Sequence, residues 1–319
     1  MPRIVPAGPQ SVDSLTVIFE TVHGSRAYGL ASESSDTDLR GVFVPPALAF
    51  TGYIETPEQI EPSRERVLFD VRKFFRLAAA SNPTVLEILF TDVSDHVTVS
   101  VEGEMLLAHR RGFLSRLAGD SFGRYGLAQL QRIRTHRRWL LSPPERKPER
   151  SDFGLPKRTV VPRDQQGAAE AMLADGRLAE SDLPAHFLDV LARERRYRAR
   201  LREWQQYQEW TRKRNPVRAD LERRFGYDTK HAMHLIRLLR MAGEILSQGE
   251  VLVRRPDADE LLSIRRGALS FDALLHQADA LGAQLERLAE SSPLPARPDE
   301  GRLNALCADV VVQVHRRTP

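Results

Sequence analysis

The sequence predicts an α+β protein, a small mixed sheet followed by a mainly helical remainder. Three observations carry this. Residues 15–22 and 39–44 are short, β-branched apolar runs of strand length, closed by Gly24-Ser25 and Pro45-Pro46. From residue 71 onward apolar side chains recur at i, i+3, i+4 and i+7. Breakers such as Asn82-Pro83 and the proline-rich stretch 142–151 cut that remainder into helix-length pieces.

Residues 1–14 read as a loosely ordered entry, with the first strand at 15–22 and a short helix or turn at 25–31. The second strand covers 39–44, and 45–64 reads as a loop or hairpin on the rim. A third strand at 65–70 runs into a helix at 71–80, whose Val71, Phe74, Phe75 and Ala78 form one apolar stripe. Thr84 is placed to cap the next short helix, with Glu87 at the capping-box spacing. Helices follow across 101–141, the longest with Tyr125, Leu127, Leu130 and Ile133 as its expected buried face. A flexible, basic, proline-rich loop is expected at about 142–165. A long polar helix spans 183–214 and ends at Asn215-Pro216, Asp228 caps another, and three more close the chain.

The densest chemistry lies between the first two strands. Gly24-Ser25 sits where a strand ends, so backbone N–H groups can approach an oxyanion and a hydroxyl adds a donor. After ten intervening residues come Asp36 and Asp38, which alternation along a strand points to one face. Two carboxylates so placed repel each other and call for a divalent cation, Mg²⁺ or Mn²⁺, which binds through carboxylates together with substrate phosphates. A phosphate cradle beside a metal site is the apparatus of phosphoryl or nucleotidyl transfer. That chemistry commonly uses a third carboxylate. Glu65 and Asp70 both qualify and, five residues apart, face opposite sides of a regular strand.

Gly24-Ser-Arg-x-Tyr-Gly-Leu, Ser35-Asp-x-Asp-x-Arg-Gly-Val-Phe-Val, Arg72-Lys-Phe-Phe-Arg-Leu and Asn82-Pro-Thr-Val-Leu-Glu-Ile-Leu-Phe, with Gly226-Tyr-Asp-Thr-Lys-His-Ala-Met-His-Leu-Ile-Arg further on, resemble the nucleotidyltransferases of the DNA polymerase β-like superfamily associated with RNA ligases and RNA repair. The resemblance implies a catalytic core over residues 1–100 and a helical domain over 101–319. It also implies an acid where Glu65 stands, usually Asp, which favours Glu65 as the third metal ligand and leaves Asp70 as the alternative. Gly24, Ser25 and Arg26 are the expected phosphate contacts. Lys230 and His231, on the first turn of the Asp228-capped helix, are expected to add to them.

The net charge is +4, but ten Arg/Lys against three Glu fall within 193–218 and seven against two within 131–150. Such clusters are the footprint of a polyanion surface, and with Tyr197, Trp204 and Tyr207 interleaved they suit RNA, although packing is the commoner use of such aromatics. No run of 18 apolar residues occurs and no leader-like apolar region opens the chain. The single cysteine, Cys307, excludes an internal disulfide and a cysteine-based zinc cluster, which fits a cytoplasmic protein. The expectation is a Mg²⁺-dependent transfer of a nucleoside monophosphate from a nucleoside triphosphate, ATP first among them, to a hydroxyl, an RNA end before a small molecule or protein. A non-catalytic RNA-binding relic is the reading from another class.

Overall fold

A computed structural model describes residues 15–33, 35–53, 56–159, 162–179, 181, 183–214 and 216–317. The entry segment 1–14 and the helix stop at Asn215 lie outside these residues. The α+β expectation holds.

Five strands form one mixed sheet in the order β3-β4-β2-β1-β5: β1 Thr16–His23, β2 Asp38–Val44, β3 Gln59–Ile60, β4 Arg66–Asp70 and β5 His96–Val99. β2 runs antiparallel to β1 and parallel to β4, while β3 forms the rim hairpin with β4. The first half of β1 and the second half of β2 bury Ile18, Phe19, Val42, Phe43 and Val44, so the apolar runs read from sequence are the centre of the sheet.

Compactness divides the chain into two units, Met1–Ile133 with Asp228–Pro319, and Arg134–Tyr227. The first holds the sheet, α1 Leu48–Thr51, α2 Val71–Ala79, α3 Pro83–Leu89, α4 Val101–Ala108 and most of α5 Leu117–Leu141. It also holds α9 Thr229–Gln248, α10 Ala258–Arg265, α11 Phe271–Ser291 and α12 Glu300–Arg317. The second contains the end of α5 with α6 Arg163–Ala174, α7 Ala185–Lys213 and α8 Pro216–Phe225.

In α2 the stripe is buried as expected, Val71, Phe74, Phe75 and Ala78 all facing inward. α9 is capped by Asp228, which accepts from the His231 N–H at 3.0 Å, and its buried face is almost continuous from Ala232 to Leu246.

Two local expectations are corrected. The cap of α3 is Asn82, which accepts from the Val85 N–H, with Pro83 at the first helical position where its missing N–H costs nothing. Thr84 is thereby inside the helix, and Glu87 is buried rather than reaching back to a cap. On α5 the buried apolar side chains include the expected Leu130 and Ile133 together with Ala118, Phe122 and Trp139, whereas the expected Tyr125 and Leu127 are exposed. The contact falls where Gly126 lets α9 approach closely: a Cβ there would lie 3.1 Å from Leu239. The helix is rotated towards that small residue, which carries Tyr125 outward, where its hydroxyl meets the Asn82 amide at 2.9 Å.

Within the second unit the aromatics largely pack on one another. Trp139, Tyr207 and Trp210 form a cluster with ring centroids 5.5–5.9 Å apart, and Phe153 packs edge-on against Tyr197. Several arginines of α7 and the one that ends it are paired there, Arg198 with Glu170, Arg200 with Glu203 and Arg214 with Glu222. Within the stretch 142–165, Arg150–Phe153 form a helical turn with reciprocal Glu149–Asp152 capping, and Arg150 pairs with buried Glu194. No helix among the described residues is long and apolar enough to cross a membrane.

Candidate active site

β1 ends at His23, and the chain turns at once. Gly24 has φ +71°, in the left-handed region that favours glycine, and an added Cβ would lie 2.7 Å from Asp38 Oδ2. The glycine therefore does two things: it makes the turn and lets the Asp38 carboxylate lie against it. Gly24, Ser25 and Arg26 give their carbonyls to the N–H groups of Tyr28, Leu30 and Gly29, at 3.0, 2.8 and 3.1 Å. The turn is thus helix-like, and its leading N–H groups, those of Ser25, Arg26 and Ala27, have no protein acceptor among the described residues. Three amides left free at the start of a turn form the concavity that binds oxyanions. The Arg26 guanidinium is held by the Ser35 carbonyl at 2.7 Å, tying the turn to the segment that carries Asp36.

The carboxylates are placed by strand register. Asp38 opens β2, opposite His23 of β1. Asp36 is exposed and precedes the strand, so it belongs to the mouth of the site and not to its floor. β4 runs parallel to β2 with Leu39 opposite Arg66, and the Glu65 carbonyl accepts from the Leu39 N–H at 2.7 Å. Carried back one residue, the same register brings Glu65 alongside Asp38 at the strand ends. Arg40 spans the two, donating to the Glu65 carbonyl at 2.8 Å and to Asp38 Oδ1 at 3.3 Å.

Asp70 lies at the other end of β4, opposite Phe43, which at strand rise is about 16 Å along the sheet from Asp38. It is buried, caps α2 through the Arg72 N–H at 2.7 Å, and takes both arms of the Arg72 guanidinium. Its oxygens are committed to the start of the helix. The structure thus brings Gly24, Ser25, Asp36, Asp38 and Glu65 to one end of the sheet and leaves Asp70 at the other.

The donor set suits a hard divalent cation. Among the described residues Asp36 has no protein partner, Asp38 is 37% exposed with one long arginine contact, and the Glu65 carboxylate meets only the Ser63 hydroxyl, at 3.3 Å. Oxygen ligands with spare lone pairs at an open strand end are what Mg²⁺ or Mn²⁺ takes, with water and phosphate completing the shell.

Beneath the turn is a buried charged cluster that pattern reading missed. Glu87 of α3 accepts from the Tyr28 hydroxyl at 2.5 Å and from Arg237 Nη1 of α9 at 2.6 Å, and lies 3.4 Å from His23 Nε2. The Arg237 guanidinium also stacks 3.8 Å from the centre of the Tyr28 ring. Glu87 and Arg237 are 2% and 4% exposed. Burial alone would raise the Glu87 pKa, but Arg237, with His23 and the Tyr28 hydroxyl, outweighs it and pulls the carboxyl down to about 2. Burial, reinforced by the Glu87 charge, pushes the Tyr28 hydroxyl well above its ordinary value, so it stays a donor. Tyr28 and His23 bracket Gly24-Ser25 in the chain, so this cluster fixes both ends of the turn. All four residues sit in or beside the motifs quoted above; their local spacing gives no sign that they meet.

The first two turns of α9 carry Lys230, His231 and His234. Its Thr229 hydroxyl donates to the Arg265 carbonyl, and Arg265 donates to Leu30 at the end of the glycine-serine turn. Burial, with the charges of Arg237, Lys230 and His231, pushes the His234 imidazole down to about 3, so it is neutral at physiological pH.

Residues 9–140 match the model of the RNA repair pathway DNA polymerase beta family. Over this stretch, which is under half of the chain, the match supports a polymerase β-like nucleotidyltransferase of the RNA-repair type. The match takes in the turn, Asp36, Asp38, Glu65 and Glu87, and ends before α9. The Uncharacterized protein YcgL of Bacillus subtilis (strain 168) is 32% identical over 81 residues, which is 24% of this chain and 31% of that protein. The chain therefore spans under a third of this relative's length. No solved structure matches it.

Proposed function

We propose that the chain is a Mg²⁺- or Mn²⁺-dependent nucleotidyltransferase that moves a nucleoside monophosphate from a triphosphate, ATP first, to a hydroxyl at an RNA end. One observation carries this: Asp38 lies against the Gly24 turn with Glu65 beside it, so free amides and carboxylates share one end of the sheet.

In this reading the triphosphate rests on the amides of Ser25, Arg26 and Ala27 and on the Ser25 hydroxyl, with Arg26, Lys230 and His231 as further phosphate contacts. Asp36, Asp38 and Glu65 would hold the cation, which supplies charge neutralisation at the phosphates and orients the two reacting oxygens. The acceptor hydroxyl oxygen attacks the α-phosphorus in line, and the bond from that phosphorus to the β-bridging oxygen breaks. Pyrophosphate leaves with that electron pair. Glu65, at the strand end, receives the hydroxyl proton. Catalysis is mostly position and countercharge, which is why the cluster under the turn matters.

The RNA acceptor is supported by the family matched and by the basic helices. The pairing of many arginines with acids within the second unit narrows the phosphate-binding set to exposed residues such as Arg196, Arg202 and Arg212. Residence in the cytoplasm accords with a lone thiol.

The test is incubation with each α-³²P nucleoside triphosphate, Mg²⁺ or Mn²⁺ and total cellular RNA, beside the Asp36→Ala/Asp38→Ala double variant. Label entering RNA only with the intact protein is expected. Label in protein or a small molecule would replace RNA as acceptor. No label, with salt-sensitive RNA binding retained, would leave a binding module and overturn the enzyme reading.

A further inference from the structure

Away from the carboxylates the sheet-bearing unit contains a second concavity. It has a volume of about 650 Å³ and is walled by α2, α5, α12 and the segment leading into α12. It shares no lining residue with the catalytic turn. Its floor is apolar, made by Phe75, Leu117 and Leu303. That volume is typical of a small-molecule site, in which an apolar body is buried and a few charged groups orient it.

The charges around it are unequal in a telling way. Four arginines line the cavity and Glu300 is the one carboxylate among the described lining residues. Arg72 is neutralised by Asp70 and Arg76 by Glu58. Arg124, from α5, and Arg297, from the segment before α12, meet no carboxylate among the described residues. Arginines that line an apolar cavity without acid partners present planar donor forks suited to phosphate.

We propose that this cavity binds a small organic phosphate of mononucleotide size, with its phosphate on Arg124 and Arg297 and its apolar-faced body over Phe75, Leu117 and Leu303. Such a ligand supplies the two charges the rim lacks and fills the floor. The site is separate from the catalytic one and stands whether or not the chain transfers nucleotides.

Cys307 lines the same cavity and is the chain's single cysteine, which gives a direct readout. The full-length protein is alkylated with N-ethylmaleimide, and modification of Cys307 is followed by mass spectrometry with and without AMP, with inorganic phosphate as comparison. AMP at a few times its Kd is expected to slow alkylation about three- to fivefold, in proportion to occupancy. Inorganic phosphate is expected to protect distinctly less. Each protein is scored as its own ratio with and without AMP, because a nearby charge change alters the basal rate.

The protection should disappear in Arg124→Glu/Arg297→Glu, whose substituted side chains are both exposed and leave the fold intact by circular dichroism. It should persist in Asp36→Ala/Asp38→Ala, which excludes an effect relayed from the catalytic turn. An AMP-independent rate, equal protection by inorganic phosphate, or protection that survives the arginine reversal would each overturn the proposal.

Discussion

Replacing Glu87 by Gln tests the buried cluster that underlies the turn. The substitution keeps the shape and removes the charge, leaving Arg237 a buried cation facing a neutral amide at the position that was 2.6 Å away. Breaking one side of a buried pair costs about 3–5 kcal/mol. An independent route gives a similar figure: a carboxyl moved from 4.5 to about 2 corresponds to roughly 3 kcal/mol of preference for the charged form. At the usual 2–4 °C per kcal/mol for domains of this size, the melting temperature should fall by roughly 6–20 °C.

Glu87→Leu/Arg237→Met should recover much of that loss, because removing both partners leaves no uncompensated charge. Nucleotidyl transfer should stay low in this double variant, since Tyr28 has lost the carboxylate that holds it. Calorimetry on the parent and both variants, with the labelling assay on each, decides the matter. A Glu87→Gln protein melting within about 2 °C of the parent would refute the energetic argument. Full activity in the stable double variant would refute the claim that the cluster positions the turn.

Other consequences follow from the same geometry. The two candidate third acids should separate: Asp70→Ala should lose about 1–2 kcal/mol through the lost cap and arginine fork, while Glu65→Ala should melt near the parent and lose transfer and Mn²⁺ affinity; the reverse pattern, by melting and Mn²⁺ titration, would exchange their roles. Gly24→Ala should cost about 1 kcal/mol for a side chain at positive φ and should weaken Mn²⁺ binding more than that figure implies, because its Cβ would displace the Asp38 carboxylate. Acid sensitivity should come in two windows. His234, with a folded pKa lowered to about 3, binds fewer protons than the unfolded chain as the pH falls from about 6.5, so its contribution is intact above that and declines below. Glu87, also lowered, contributes fully above about pH 4.5 and loses its contribution on the way to about 2. Urea unfolding of His234→Gln should show a flatter stability profile between pH 6.5 and 4.5, and an unchanged slope would contradict this assignment.

The chain's local order was legible in its residues because the signals are local. Strand 15–22, the Gly24-Ser25 turn and the second strand follow from alternation and from the turn residues between them. The α2 stripe and the Asp228 cap follow from helical spacing and one side-chain acceptor. What pattern could not choose was between equivalents. Tyr125 and Leu127 look as suited to a core as Ala118 and Phe122, until the closeness allowed at Gly126 turns α5 towards α9.

Glu65 and Asp70 bound the same strand, and nothing in their spacing ranks them. Parallel pairing of β4 with β2 does, because it runs Glu65 alongside Asp38 and carries Asp70 into the start of α2. Glu87 and Arg237 are 150 residues apart, and a contact at that separation leaves no periodic trace in a single chain. Sequence by itself determined which elements form and which oxygens are on offer near the turn. Tertiary structure decided which of those residues come to the same end of the sheet and what buried charge lies beneath the turn, because register, helix rotation and long-range pairing depend on surfaces that exist only once the elements have packed.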